Sequence, residues 1–367
     1  MFTTRPELTG DLGMVASTHW LASATGMSVL ERGGNAVDAA VAAGFVLQVV
    51  EPHLNGPGGD VPILVADASG AVEVYCGQGP TPAKATIERY RDLGLDLVPG
   101  TGLLAAVVPG AFGAWTLLLE QRGTWRLRDV LEPAIAYADK GFPLLPMTVA
   151  TIRTVEQLFR DEWPTSAATY LTGDGPPAAG SRFQNQALAA TYRRVLEQAE
   201  STAHGREQEI AAARDAFYRG FVAEAVADFC ATQQVMDTSG ERHGGLLDAD
   251  DLARWQPTVE PSVSVDYAGL TIHKTGPWGQ GPVLLQQLHS CPGSIWRRWD
   301  TYPPSGSTRS WSAASSPLPI AKPGTATRSM STCRLLGCST RRTPSSGARW
   351  FRTPPPTSYG PAAPAGA

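Results

Sequence analysis

The chain lacks any apolar run approaching the ~18–20 residues that span a bilayer, so no membrane-crossing helix is expected. Its opening residues, Met1-Phe2-Thr3-Thr4-Arg5-Pro6-Glu7, lack the apolar centre of a secretory signal, which predicts a cytoplasmic protein without a membrane partner. Cysteine is scarce. Cys76, Cys230, Cys291, Cys333 and Cys338 form an odd, scattered set, which argues against a disulfide framework. Three of them lie beyond residue 288, where His289 is the only histidine, so no metal centre is expected. A basic balance is also missing: a net charge of −4 over 367 residues gives the whole chain no electrostatic pull on nucleic acid.

That total hides an asymmetry. From His289 onward one Lys and nine Arg face a single Asp, giving +9, so the preceding residues carry −13. The same 79 residues contain 14 Ser, 12 Pro and 9 Thr but no Val, Glu, Asn or Gln, and show no helical or strand period. Such composition cannot bury a core, which predicts a disordered tail over 289–367.

Upstream the patterning is regular. Leu21, Met27, Val29 and Leu30 mark a helix that Gly33-Gly34 should end, because glycine takes left-handed angles cheaply. Asn35 is placed to cap a second helix, alanine-rich and apolar nearly all round apart from Asp38, hence buried. A glycine-rich turn, Asn55-Gly56-Pro57-Gly58-Gly59-Asp60, leads into strands at 61–66 and 72–76 around Ser69-Gly70. A phosphate-loop reading of that turn fails on spacing, and no Lys follows it.

The run LERGGNAVDAAVAAGFVLQVVEPHLNGPGG resembles the N-terminal signature of the gamma-glutamyltransferase (glutathione hydrolase) family of N-terminal-nucleophile (Ntn) hydrolases. The resemblance covers residues 12–288. It implies an α/β (α+β) fold, part of an αββα sandwich, with residues 1–288 as a large-subunit region. No cofactor is expected. The resemblance also implies a precursor that cleaves itself before a threonine, whose own α-amino group then serves as base in attack on an amide. The intact enzyme would pass a γ-glutamyl or related acyl group to water or an amine.

The stretch Gly77-Gln78-Gly79-Pro80-Thr81-Pro82-Ala83-Lys84-Ala85-Thr86 stands where the family carries an Arg-Glu-Thr-Ala-Pro motif, whose arginine grips the substrate's α-carboxylate, and that arginine position falls on Gln78. Gln78 is thus the candidate substrate-binding residue, and glutamine offers no charged, bidentate fork to a carboxylate. A different amide substrate follows as an expectation.

Other segments read in order. Met14 to His19 is expected as a short strand, with Thr18 or Ser17 capping the first helix. After Val107-Val108-Pro109-Gly110 a helix should run through Trp115 to Glu120, and an amphipathic one from Leu127 to Ala138. Helices are expected over 149–162 and 184–198, and from Phe221 to Phe229 after Phe217-Tyr218-Arg219-Gly220. Asp248 with Asp251 reads as a capping box. Strands are expected over 259–265 and 269–273, and a Gly/Pro-rich turn at 276–282 should precede a helix at 283–288.

Thr271, two residues before His273, copies the threonine-x-histidine spacing of the family nucleophile, but it sits in a strand of the large-subunit pattern. No catalytic residue is therefore assigned, and the nucleophilic threonine is expected to be absent. The tail supports two readings. Its arginines with Trp296, Trp299, Trp311 and Trp350 would suit a non-catalytic protein that binds nucleic acid. A reading-frame shift after Leu288 explains it better, leaving no nucleic-acid partner. Permitted codons from Trp311 to Arg328, read one base out of phase, give ECSKLALADREAWYGDP, which is similar to the family's continuation. On that reading the chain is truncated, lacks the small subunit that should be its partner, and is inactive.

Overall fold

The structure, a computed structural model, describes residues 8–290. Among the described residues no regular element precedes α1 (Trp20–Glu31), so the strand expected at Met14–His19 is absent. The cap is His19 rather than a hydroxyl residue: its ring accepts from the Leu21 amide. The helix stops at Gly33, whose φ of +88° is the left-handed geometry anticipated for it.

Asn35 caps α2 (Ala36–Val50) in a full capping box with Asp38. Asp38 is completely buried. Its carboxylate accepts from the amides of Asn35 (2.9 Å), Thr124 (2.8 Å) and Trp125 (3.1 Å) and from the Thr124 hydroxyl (2.6 Å). The Gly-Gly-Asn signature is thereby a structural clasp that ties the start of α2 to the loop at 122–126. Beyond it Val41, Phe45, Val46, Val49 and Val50 are fully or nearly fully buried. Each such side chain gains about 1.5–3 kcal/mol on leaving water, so α2 takes the centre of the core.

The hairpin β1 (Val61–Ala66) and β2 (Val72–Gly77) closes through Asp67, which accepts from the amides of Ser69 and Ala71. A short α3 (Ile87–Asp92) follows, and a 3-10 turn precedes α4 (Ala111–Arg122). Then come α5 (Leu127–Lys140), β3 (Phe142–Pro143), α6 (Pro146–Asp161) and α7 (Pro164–Tyr170). They lead to β4 (Arg182–Phe183), α8 (Gln186–Thr202), α9 (Arg206–Tyr218) and α10 (Phe221–Thr232). Helices α5, α8 and α9 pack beside α2 and α4. Helices α3, α7 and α9 were not expected from the sequence.

After the ribbon β5 (Val235–Met236) and β6 (Arg242–His243), Asp248 and Asp251 form the expected capping box on α11 (Ala249–Arg254). The strand expected over 259–265 is two strands. β7 (Thr258–Pro261) pairs antiparallel with β2, whereas β8 (Val263–Tyr267) pairs with β9 (Leu270–Lys274). The break falls at Ser262, just after Pro261, the last residue of β7, and before β8 takes a new partner. α12 (Gly281–Ser290) runs through the Leu288–His289 junction. The rest of the expected tail lies outside the described residues.

The main sheet therefore has the order β1-β2-β7. Among the described residues its two outer edges are unpaired, and Leu64 and Val259 are each 40% exposed. Tyr75 shares a face with Ile63 and Val259 and reaches α4, where its hydroxyl donates to Gln121 at 3.0 Å. No helix among the described residues is long and apolar enough to cross a membrane.

Candidate active-site region

Gln78 lies half-buried just past β2, and its neighbours show how it is held. A Cβ on Gly79 would sit 1.7 Å from the Val108 carbonyl oxygen, and one on Gly110 would sit 1.9 Å from that of Gly77. Only glycine permits so close an approach of two backbones. The Val108 amide donates to the Pro80 carbonyl at 3.0 Å and fixes the pair of segments in register.

The Asn55–Asp60 turn joins the same cluster. The Gly59 carbonyl accepts from the amides of both Gly110 and Ala111 at 3.0 Å. The turn therefore presents an acceptor to the start of α4, where a phosphate loop would present donors. Gly110, the N-cap, has no side chain to cap with, and a buried tyrosine from α9 takes over part of that work. The Tyr218 hydroxyl accepts from the Gly113 amide at 2.9 Å and donates to the Pro109 carbonyl at 2.7 Å. Burial pushes its pKa well up, so it remains a neutral phenol.

On the other side of β2, Glu260 of β7 accepts from the Thr258 hydroxyl (2.7 Å) and the Trp278 indole (2.8 Å). This ties the Gly276–Pro282 turn to the sheet. Cys76 is buried nearby, and burial raises its thiol pKa, as expected of an inert packed thiol.

The hydroxyls that could have acted as nucleophiles are otherwise engaged. Thr271 donates to Asp266 at 2.7 Å within the β8–β9 hairpin, while His273 pairs with Ser262 at 2.8 Å. Thr271 and His273 are thus not brought together. Thr18 donates to the buried carboxylate of Glu51. His19 is 1% exposed, and burial lowers its pKa against the opposing pull of Glu51.

Among the described residues no group of three or more His, Cys, Asp and Glu side chains is placed to hold a metal ion. A cavity of about 500 Å³ lies elsewhere, beside the α6–α7 junction and α10, with Trp163, Phe229, Gln233 and Arg242 in its wall. The tryptophans proposed for nucleic-acid stacking lie outside the described residues.

Residues 22–302 match the family model described as gamma-glutamyltranspeptidase. The chain belongs to the gamma-glutamyltranspeptidase family. It is similar to the glutathione hydrolase-like YwrD proenzyme of Bacillus subtilis (strain 168), with 32% identity over 283 residues, 76% of this chain and 49% of that protein. The acylase ACY 1 proenzyme of Pseudomonas sp. (strain SE83) is 33% identical over 291 residues, 76% of this chain and 47% of that protein. Among solved structures, that of LmbA2991HD aligns with a TM-score of 0.77 at 56% identity, covering 80% of this chain and 50% of that chain. The chain spans about half the length of the curated relatives it matches.

The described residues are the N-terminal, large-subunit part of this gamma-glutamyltranspeptidase-family protein, with the mixed helix and sheet of an Ntn hydrolase. The family match continues to residue 302 and so passes Leu288. Gln78 was singled out from the sequence, whereas the hydrogen bonds of Tyr218 and of the Gly59 carbonyl around the neighbouring segments were not. The glycines at 77, 79 and 110 were the available signal, since glycine at strand ends often marks a close backbone approach.

Proposed function

We propose that residues 1–288 act as the large-subunit region of an amide-cleaving Ntn hydrolase. The small subunit, with the N-terminal threonine, comes from sequence other than these 367 residues. In the complete enzyme that threonine attacks an amide carbonyl, the leaving amine departs, and water or a second amine resolves the acyl-enzyme. This chain supplies the wall of the acyl pocket around Gln78 and no bond-making group, so by itself it turns over no substrate.

One observation supports this reading: the two threonines weighed as nucleophiles, Thr18 and Thr271, both spend their hydroxyls on carboxylates. The acyl group it suits is one without an α-carboxylate, because Gln78 stands where a charged fork would be needed. The names of the two relatives, one a glutathione hydrolase-like protein and the other an acylase, are compatible with such a range of acyl groups within the family.

The test is release of 4-nitroaniline from γ-glutamyl and simple N-acyl anilides by the purified chain. No release is expected from any of them. Turnover that disappears in Thr271→Ala would overturn the assignment. The accompanying frame-shift proposal is tested by resequencing the coding DNA across the Leu288 and His289 codons. One gained or lost base, whose correction restores a family-like continuation, is the expected result. An unaltered reading without such a continuation would sink it.

A further inference from the structure

We propose that Tyr218 is a positioning residue for the Gln78 turn, acting through the first turn of α4. The argument begins with a conflict at Gly110. A helix N-terminus needs acceptors for its first amides, and Ser, Thr, Asp or Asn at the N-cap provides one. Any of these at position 110 would drive its Cβ into the Gly77 carbonyl, 1.9 Å away. The close approach that holds the Gln78 turn thus forbids an ordinary cap on the helix it leans against.

Two distant groups supply what Gly110 cannot. The Gly59 carbonyl takes the amides of Gly110 and Ala111, and the Tyr218 hydroxyl takes that of Gly113. The same hydroxyl donates to Pro109, so it holds both sides of the N-cap residue at once. Tyr218 is itself fixed: it is 4% exposed, with its ring against Phe217 and Trp255 at centroid distances of 5.0 and 5.1 Å. Gly113 must be glycine for this, because a Cβ there would lie 2.6 Å from the Trp255 ring and 3.0 Å from the hydroxyl.

Val108 sits one residue before Pro109, and its amide bonds Pro80, two residues after Gln78. The path is short and made of backbone: hydroxyl, Pro109, Val108, Pro80, then the turn. Removing the hydroxyl leaves the Gly113 N–H and the Pro109 carbonyl without their partner and frees the 107–110 segment from α9. Its meaning for substrate rests on the reading of Gln78 given above, but the coupling itself can be measured without substrate.

The experiment is amide hydrogen exchange on the full ¹⁵N-labelled chain, comparing wild type with Tyr218→Phe. The Val108, Gly110 and Ala111 amides should exchange at least about tenfold faster, while Leu131 in α5 and Val195 in α8 keep their wild-type rates. An unchanged Val108 rate overturns the proposal. So does an equal acceleration at all five positions, which is what general destabilisation produces. If Tyr218→Phe does not fold, wild-type exchange in graded sub-denaturing urea decides. Val108, Gly110, Ala111 and Gly113 should then open as one unit with one urea dependence, and separate openings overturn the coupling. Failure of Gln78 as a substrate contact would show differently, as unchanged substrate selectivity on replacing Gln78 in a completed enzyme, with these exchange rates unaffected.

Discussion

Gly110 faces the carbonyl oxygen of Gly77 so closely that a Cβ would lie 1.9 Å away. The pairing of Gly79 with Val108 is tighter still, at 1.7 Å. In both cases the obstacle is backbone, which cannot swing aside as a side-chain tip can. Gly79→Ala and Gly110→Ala should each cost more than about 3 kcal/mol, at or beyond the upper end of ordinary overpacking. Gly58, in the neighbouring turn, has nothing within 4 Å of an added Cβ. Gly58→Ala should therefore stay within about 0.5 kcal/mol of wild type. Urea unfolding midpoints of the three variants make the comparison, and a tolerated Gly110→Ala would mean that the two segments are not held as described.

The Asp38 clasp makes a second prediction. Asp38→Ala leaves the amides of Asn35, Thr124 and Trp125 without their acceptor at a buried point. Losing a buried carboxylate that answers three amides and a hydroxyl should cost about 3 kcal/mol or more. Asp38→Asn should recover only part, because an amide offers one acceptor oxygen where the carboxylate uses two. The same urea titration reads both, and Asp38→Ala within about 1 kcal/mol of wild type would refute the structural role.

The elements legible in the sequence are those decided locally. The capping boxes at Asn35/Asp38 and Asp248/Asp251 each close within three residues, and the β1–β2 hairpin turns on Asp67 and Gly70. What could not be read depends on distant partners. The 259–265 segment has one continuous β pattern, yet it divides at Ser262 because its two halves find different strands. His19 replaces the expected Ser or Thr cap because its ring is buried and turned toward the Leu21 amide. Gln78 was singled out by its place in a motif, whereas the bond from the Gly113 amide to the Tyr218 hydroxyl links positions 105 residues apart along the chain. No local pattern encodes such a contact.

His19 gives a pH dependence whose sign follows from its burial. Desolvation lowers its folded-state pKa below the ordinary value of 6.5, with Glu51 opposing. Between the two values the unfolded chain binds the extra proton and the folded chain does not, so stability rises with pH across that window. The contribution is fully present above pH 6.5 and is lost as pH falls from there toward the folded-state pKa. His19→Asn, which retains a good N-cap, should flatten the fall in thermal midpoint between pH 7 and pH 5. Equal slopes for variant and wild type across that range would show that His19 does not titrate differently in the two states.

Gln78 makes the prediction closest to function. In an enzyme completed with the small-subunit half of a full-length relative, Gln78→Arg restores a guanidinium at the position that resembles the carboxylate grip. A charge-assisted, bidentate pair contributes about 1.5–3 kcal/mol, so kcat/KM for a γ-glutamyl anilide should rise roughly tenfold to a hundredfold. The matching 4-aminobutyryl anilide has the same chain length and amine but no α-carboxylate, and it should gain nothing or lose. The ratio of the two rates isolates the carboxylate contact from any general change in folding or maturation. If Gln78→Arg leaves that ratio where it was, residue 78 does not face the acyl group. The Gly77–Pro80 turn would then be a purely structural clamp between β2 and α4.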